Sequence, residues 1–441
     1  MDIRVRTAVL VIVAATLVLG AALATAQAAT AGAVSWQHAY DGRLHGSDAF
    51  TSVVVAPGGA VYAAGYTAVS AAARSDMLLV RYAADGAASW VRQWNGPLSG
   101  SDQCWGLARD GSGGIYLAGR TAGHGGGDAA VLRYSPDGKL TWSRRIDYGT
   151  AWQDDARFVQ GLAAGDGAYV VVESWSGTAY RTRVLRYSRR GARVWTAALA
   201  PGTRVTGVTT DAADDLYLCG WSATAGGSAA ELDSFSSAGT RRWTVRLPGD
   251  AAFTHANAIS TRTGGIVWAM DSSDAAAAPG QGSVLASPYE PGTPFTPHWG
   301  GDLGVTQPFA VDDVGGTSAG GTIAVGRERS GGLDHGFLVQ LDASGAPVAA
   351  PLVWADAAGC GGDLVVTTSG DAAWVAGKTG ATFSALHYLP ASGLEWRYDY
   401  AARPAGRALD LQTTAGGGAV VVGWGRAAGG GADALILRLA P

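Results

Sequence analysis

Apolar residues run through most of this chain in short stretches, cut at regular intervals by clusters of Gly, Asp and Ser. Within one stretch the pattern predicts four strands, at residues 104–108, 114–120, 129–134 and 140–144, separated by Asp-Gly, Gly-Gly and Pro-Asp-Gly turns. Such turns need backbone conformations with φ > 0, which Gly and Asp supply most readily.

The same stretch recurs. DMLLVRYAADGAASW ends at Trp90, DAAVLRYSPDGKLTW at Trp142 and TRVLRYSRRGARVW at Trp195; weaker copies end at Trp243, Trp354 and Trp396, and a degenerate one ends at Trp299. With Trp36 these tryptophans are separated by 54, 52, 53, 48, 56, 55 and 42 residues. A second phrase, GGIYLAG at residues 113–119, keeps the same register in most units, around Tyr62, Tyr116, Tyr169 and Tyr217. A repeat of this period built from four short strands cannot bury both faces of its own sheet, so copies must stack on one another. Radial stacking gives an all-β chain: a single eight-bladed β-propeller of four-stranded antiparallel blades. Seven blades is the alternative if the copy between Trp243 and Trp299 is an insertion.

The last copy, around residues 433–441, has three strands and lacks the fourth with its Trp, while residues 32–36 read as a free fourth strand. The 45 residues after Trp396 and the eight from Ala29 to Trp36 together make one repeat length. The expected domain is therefore 29–441, its last blade shared between 29–40 and 397–441. Closure by N- and C-terminal strand pairing would cover two open edges. The blade tryptophans Trp36, Trp90, Trp142, Trp195, Trp243, Trp299, Trp354 and Trp396 are expected to be structural. Each would pack over the adjoining blade and a Gly turn rather than form a binding stripe.

The 441 residues include 66 Gly, only 15% charged residues and 47% hydrophobic ones, which suits one large repeat array better than two or three helical domains. Arg4 and Arg6 precede an apolar run at residues 8–24 and an Ala26-x-Ala28 sequence, so residues 1–28 read as a secretory signal peptide. An uncleaved N-terminal anchor is the alternative. The expected location is secreted or at the cell-envelope exterior, with no further membrane segment. Loss of residues 1–28 takes the net charge from −4 to about −5, which argues against a nucleic-acid partner. The three cysteines, Cys104, Cys219 and Cys360, allow one disulfide at most and read as buried apolar residues. A monomer is expected.

The phrase D-x-x-L-x-R-Y-x-x-D-G-x-x-x-W, preceded by G-x-V-Y-x-A-G, resembles the bacterial propeller repeats called SBBP repeats and is similar to quinoprotein-like, or PQQ-like, repeats. The resemblance spans nearly all of residues 29–441 and implies a propeller with a Trp docked from each blade. PQQ-dependent dehydrogenases of this shape carry neighbouring cysteines over the cofactor, and no two cysteines are neighbours here. No cofactor is expected.

Ligands of propellers sit at the axis, on the face made by the loops that lead into each innermost strand. In those loops Asp48, Asp102 and Asp155 each lie 14 residues before a second-strand Tyr. They are candidates for cation or polar-ligand binding, or caps of the turn into the strand. Trp105 and Trp152 beside them are candidates to stack on a sugar ring or to fill the channel. The run Asp211-Ala-Ala-Asp214-Asp215 lacks calcium-loop order and reads as a solvated turn. No His or Cys spacing supports a transition-metal site, and no nucleophile elbow, phosphate loop or dinucleotide fingerprint is present. Glu, at only five positions, is missing from these loops, so no catalytic residue is assigned. The expected function is an exported, non-catalytic propeller that binds a protein or extracellular polymer through the loops of one face. A secreted quinoprotein-like or glycan-active enzyme with its site at the axis is the alternative.

Overall fold

The structure is a computed structural model. It describes residues 34–70, 74–123, 126–149, 152–247, 253–273, 281–288, 299–301, 303, 305, 309–354, 364–379, 382–400, 405–426 and 430–441. The signal-peptide segment and Cys360 lie outside these residues. All regular elements among the described residues are strands. No helix among them is long and apolar enough to cross a membrane.

The strands form four-stranded antiparallel units in chain order. We number them sheet 1 (residues 49–94), sheet 2 (103–146), sheet 3 (153–198), sheet 4 (203–247), sheet 5 (253–301), sheet 6 (309–354), sheet 7 (365–399) and sheet 8 (405–439 with 34–40). Sheets 4 and 5 are linked by one parallel bridge, Ser228 to Phe253, which joins them into a single hydrogen-bonded network. The degenerate copy before Trp299 is a full unit: Phe253–Arg262, Gly265–Ser273, Gln281–Pro288 and the short Trp299–Gly301. In the second copy the strands are Gln103–Arg109, Ile115–Ala122, Gly127–Tyr134 and Leu140–Ile146, each within two residues of the limits read from the sequence.

Sheet 8 takes its fourth strand from the other end of the chain. Val34–Tyr40 pairs antiparallel with Ala432–Leu439, with Trp36 opposite Arg438 and Tyr40 opposite Ala434. The core is divided among the seams between sheets. Each of eight apolar clusters draws on two consecutive sheets, and one joins Phe50, Val61 and Leu78 of sheet 1 to Val420, Val422 and Ile436 of sheet 8. Small alternating residues on both faces of the second and third strands make this possible, since a sheet sandwiched on both sides is apolar on both faces.

The repeated aromatics share these seams. Tyr62, Tyr116, Tyr169 and Tyr217 on second strands lie 5.9, 6.0, 5.5 and 6.1 Å from Trp90, Trp142, Trp195 and Trp243 of the same sheets. Each ring also meets the following sheet: Trp36 stacks on Tyr82, Trp142 meets Tyr187 and Trp195 stacks on Phe235. The indole N–H groups of Trp36, Trp142 and Trp195 donate to the carbonyls of Ala84, Arg189 and Ser237, in the third turn of the next sheet. Trp354 and Trp396 are buried.

Candidate functional site

The first strands of successive sheets stand side by side around an axial channel. Almost every one carries a β-bulge at the same place: at Thr51, Trp105, Arg157, Thr206, Asn257, Asp312 and Leu409 one residue is inserted between register pairs. The residues before the bulge, such as Phe50, Cys104, Ala156 and Val205, are buried, while the extra residue turns out of the ladder. Some of these extra side chains tie a sheet to its neighbour. Thr51 donates to the carbonyl of Cys104, Thr206 to that of Ala256, and Asn257 to that of Val311. Cys104 on a first strand and Cys219 on a second strand are buried free thiols, and burial pushes both up to about 12.

Two of the candidate acids are turn caps. Asp48 accepts the backbone N–H of Gly42 and of Ala68 at 2.8 and 3.0 Å, and is fully buried. Asp102 accepts the N–H of Gly96 at 2.6 Å and the hydroxyl of Thr121, and is also fully buried. The third member of this set is Asp154, which accepts the N–H of Tyr148, and not Asp155. The reason is a longer hairpin. The loop between Gln153–Gly161 and Ala168–Trp175 is one residue longer than its counterparts in sheets 1 and 2, so a fixed offset back from Tyr169 stops one residue short. A one-residue step along a strand changes the face, and Asp155 points to the rim of the channel while Asp154 is buried in the seam. Asp154 and its neighbours Asp128 and Asp147 bring carboxylate oxygens within 4.8 Å of one another, and Arg145 pairs with both Asp128 and Asp147.

Asp155 belongs to a polar pocket of 200 Å³ lined by Gln153, Asp155, Arg157, Glu173, Trp175, Tyr180 and Arg204. Arg120 reaches Asp155 at 3.5 Å, and Arg204 pairs with Glu173 at 2.9 Å. Burial holds the Asp155 carboxyl above the usual range, and the positive charges of Arg120 and Arg157 oppose that shift. The rings of Trp175 and Tyr180 sit 4.3 Å apart, flanking the hairpin between the second and third strands. The Arg204 guanidinium lies 4.3 Å from the Tyr180 centroid and 6.0 Å from that of Trp221, which in turn faces His255 at 4.9 Å. Trp152 lies nearby under Arg181, 5.0 Å from its ring centroid. Of the five candidates, only Asp155 lines this pocket; Trp105 sits at the bulge of sheet 2, Trp152 flanks sheet 3, and Asp48 and Asp102 are held in separate seams.

Deeper in the channel, a cavity of 710 Å³ is lined by acids that did not stand out in the sequence: Asp271, Asp312, Asp313 and Asp410, with Arg327 and Asn257. Arg327 pairs with Asp312 at 2.8 Å. Asp313 accepts the N–H of Val366 and Asp410 that of Val53, both at 2.9 Å, and Asp271 accepts that of Val311 at 3.0 Å. Each of these bonds crosses from one sheet to the next. Burial pushes Asp271 and Asp313 up to about 7 and Asp410 up to about 6, against the pull of these donors. A signal for them existed, because Asp313 and Asp410 each fall four residues beyond the capping position, at Phe309 and Gly406, in their units.

The Asp211 turn also differs from expectation. Asp211 caps it, accepting the N–H of Ala213 and Asp215, but Asp214 and Asp215 are 5% exposed. Asp214 accepts the N–H of Ala163 in sheet 3, and Asp215 accepts that of Ser237 and pairs with Arg242. These acids brace a seam because backbone donors of an adjoining loop replace water.

The chain has a β-propeller fold. It is similar to the crystal structure of Sqt1 from Chaetomium thermophilum, with a TM-score of 0.58 at 10% identity over 93% of this chain and 99% of that one. Sqt1 bound to the N-terminus of the ribosomal protein L10 gives the same TM-score over 91% of this chain and 98% of that one, also at 10% identity. The propeller domain of the trilobed protease from Pyrococcus furiosus aligns at a TM-score of 0.43 and 8% identity, over 79% of this chain and 95% of that one. No family model matches the sequence, and no curated protein matches it.

Proposed function

We propose that this chain is an exported, non-catalytic binding propeller whose eight sheets are blades of one ring closed by Val34–Tyr40. Its partner, a protein or extracellular polymer, is taken on the face that carries Trp175, Tyr180, Arg204 and Trp221. The observation behind this reading is how the polar groups are used. Asp48, Asp102, Asp271, Asp313 and Asp410 all accept backbone N–H groups, which makes them structural staples. The half-buried rings and guanidiniums at the rim are instead held ready by ion pairs and present their remaining edges to solvent. A propeller with the same fold, Sqt1, holds a protein segment, which adds support for a protein partner. Export rests on residues 1–28, and N-terminal sequencing of secreted protein tests it.

The test of binding is a screen of the full chain on glycan and protein arrays, repeated with Trp221→Ala. Saturable binding weakened in the variant is expected. One observation favours an enzyme instead: carboxyls held near neutral pH in a large axial cavity suit general acid–base work. Saturable turnover of a glycan or a quinone-linked substrate that vanishes in Asp313→Asn would replace the binding reading with that one.

A further inference from the structure

We infer that the rim pocket of sheet 3 is a subsite for one pyranose unit of an extracellular polysaccharide. This rests on the binding reading above and gives it a ligand class. Size is the first argument. At 200 Å³ the pocket is small, of a size for one ring and its substituents rather than for an extended ligand. Sites for larger organic ligands run to about 300–1,000 Å³.

The second argument is the kind of polarity. The pocket's acids and bases come in matched pairs, Arg204 with Glu173 and Arg120 with Asp155, so their heads are oriented before any ligand arrives. Sugar hydroxyls both donate and accept. Planar carboxylates and guanidiniums held edge-on to a site meet adjacent hydroxyls in pairs, with little side-chain entropy left to lose. A pocket built for a simple ion would be lined by one sign of charge, whereas Asp155 and Glu173 here face Arg157 and Arg204.

The third argument is the wall. Trp175 stands at the mouth, backed by Tyr180, whose own ring is covered by Arg204, and the apolar face of a pyranose packs against an indole so placed. Trp152 and Trp221, on either side, continue the aromatic surface along the rim toward neighbouring units of a chain. Arg157 is exposed and lines the same pocket from its bulge position. It stands where a carboxylate substituent on the sugar would meet it, so a uronate unit should bind more tightly than a neutral hexose.

Calorimetric titration of the full chain with neutral hexose oligosaccharides, oligogalacturonate and a set of unrelated peptides tests this. Binding of both saccharide classes is expected, weakened about tenfold or more by Trp175→Ala. Arg157→Gln, at an exposed position, should weaken oligogalacturonate binding more than neutral-hexose binding and so remove the preference between them. Saccharide binding that neither variant changes overturns the assignment of the pocket. Peptide binding that Trp175→Ala weakens, with no saccharide bound, overturns the ligand class and keeps the binding face. Failure of every probe to bind overturns both.

Discussion

The indole of Trp36 rests on Gly86, so closely that a Cβ at that glycine would lie 2.6 Å from the indole Cγ. Trp90 over Gly138, Trp142 over Gly191 and Trp195 over Gly239 repeat the contact at 2.8, 2.8 and 2.7 Å. The Trp of one sheet thus requires the Gly of the next, which accounts for both being constant features of the repeat.

Gly86→Ala therefore carries two penalties, whereas Gly177→Ala carries one. Both glycines have φ of 91°, but a Cβ at Gly177 meets nothing within 4 Å. The difference isolates the clash with Trp36. We expect Gly86→Ala to be destabilised by about 1–3 kcal/mol more than Gly177→Ala, the usual cost of overpacking a filled site. Denaturant midpoints of the two variants measured side by side check this. Equal midpoints would mean that Trp36 can swing away freely.

Stability should fall as the pH rises from about 4 to about 7. Asp313 and Asp410 have native carboxyls pushed up to about 7 and about 6 by burial, while in the unfolded chain they titrate near 3.8. The native state therefore binds more protons across that window, and its stability declines with rising pH. Carboxylates with lowered values, such as the exposed Asp342, act in the opposite direction lower in the range. Asp313→Asn should flatten the decline, as followed by melting temperature against pH. An unaltered slope would remove Asp313 from the explanation.

The thiols of Cys104 and Cys219, buried and raised to about 12, should resist alkylation in the native protein at pH 8 and react once denaturant is added. Mass spectrometry of digests after a timed iodoacetamide pulse reads both sites. Rapid native labelling at either would show that its seam opens.

Removing residues 34–40 should expose the edge of Ala432–Leu439, whose side chains are almost all buried. An uncovered apolar edge is a template for association, so we expect a sharp drop in soluble yield and concentration-dependent aggregation by light scattering. A monomeric product with the full-length melting temperature would count against closure by this strand.

Spacing carried most of the architecture, because the units are sequential and a Trp, a Tyr and a Gly recur at fixed offsets. The site was less legible, for reasons visible at single residues. Asp155 came into view through a count that assumed equal hairpins, and the extra residue before Ala168 shifted the true cap to Asp154. Trp105 was singled out as an aromatic near an acid, and it lies outside the pocket that Asp155 lines. Asp313 and Asp410 went unnoticed because they appear in only two units, at an offset inside a strand where acids are uncommon. Their partners, the N–H groups of Val366 and Val53, belong to other units, and no local pattern announces a bond made across a seam. Asp214 and Asp215 looked solvated for the same reason.

The bulge on the first strands separates two demands that a propeller makes of the same segment. The residue before it, whether Phe50, Cys104, Ala156, Val205, Ala256, Val311 or Ala408, is buried in a seam and tolerates little change. The inserted position varies through Thr51, Trp105, Arg157, Thr206, Asn257, Asp312 and Leu409, spanning aromatic, basic, acidic, amide and aliphatic chemistry on one backbone shape. Thr206, Asn257 and Asp312 reach the large cavity from this position, so its chemistry is open to rewriting there while the buried residue before each bulge stays as it is.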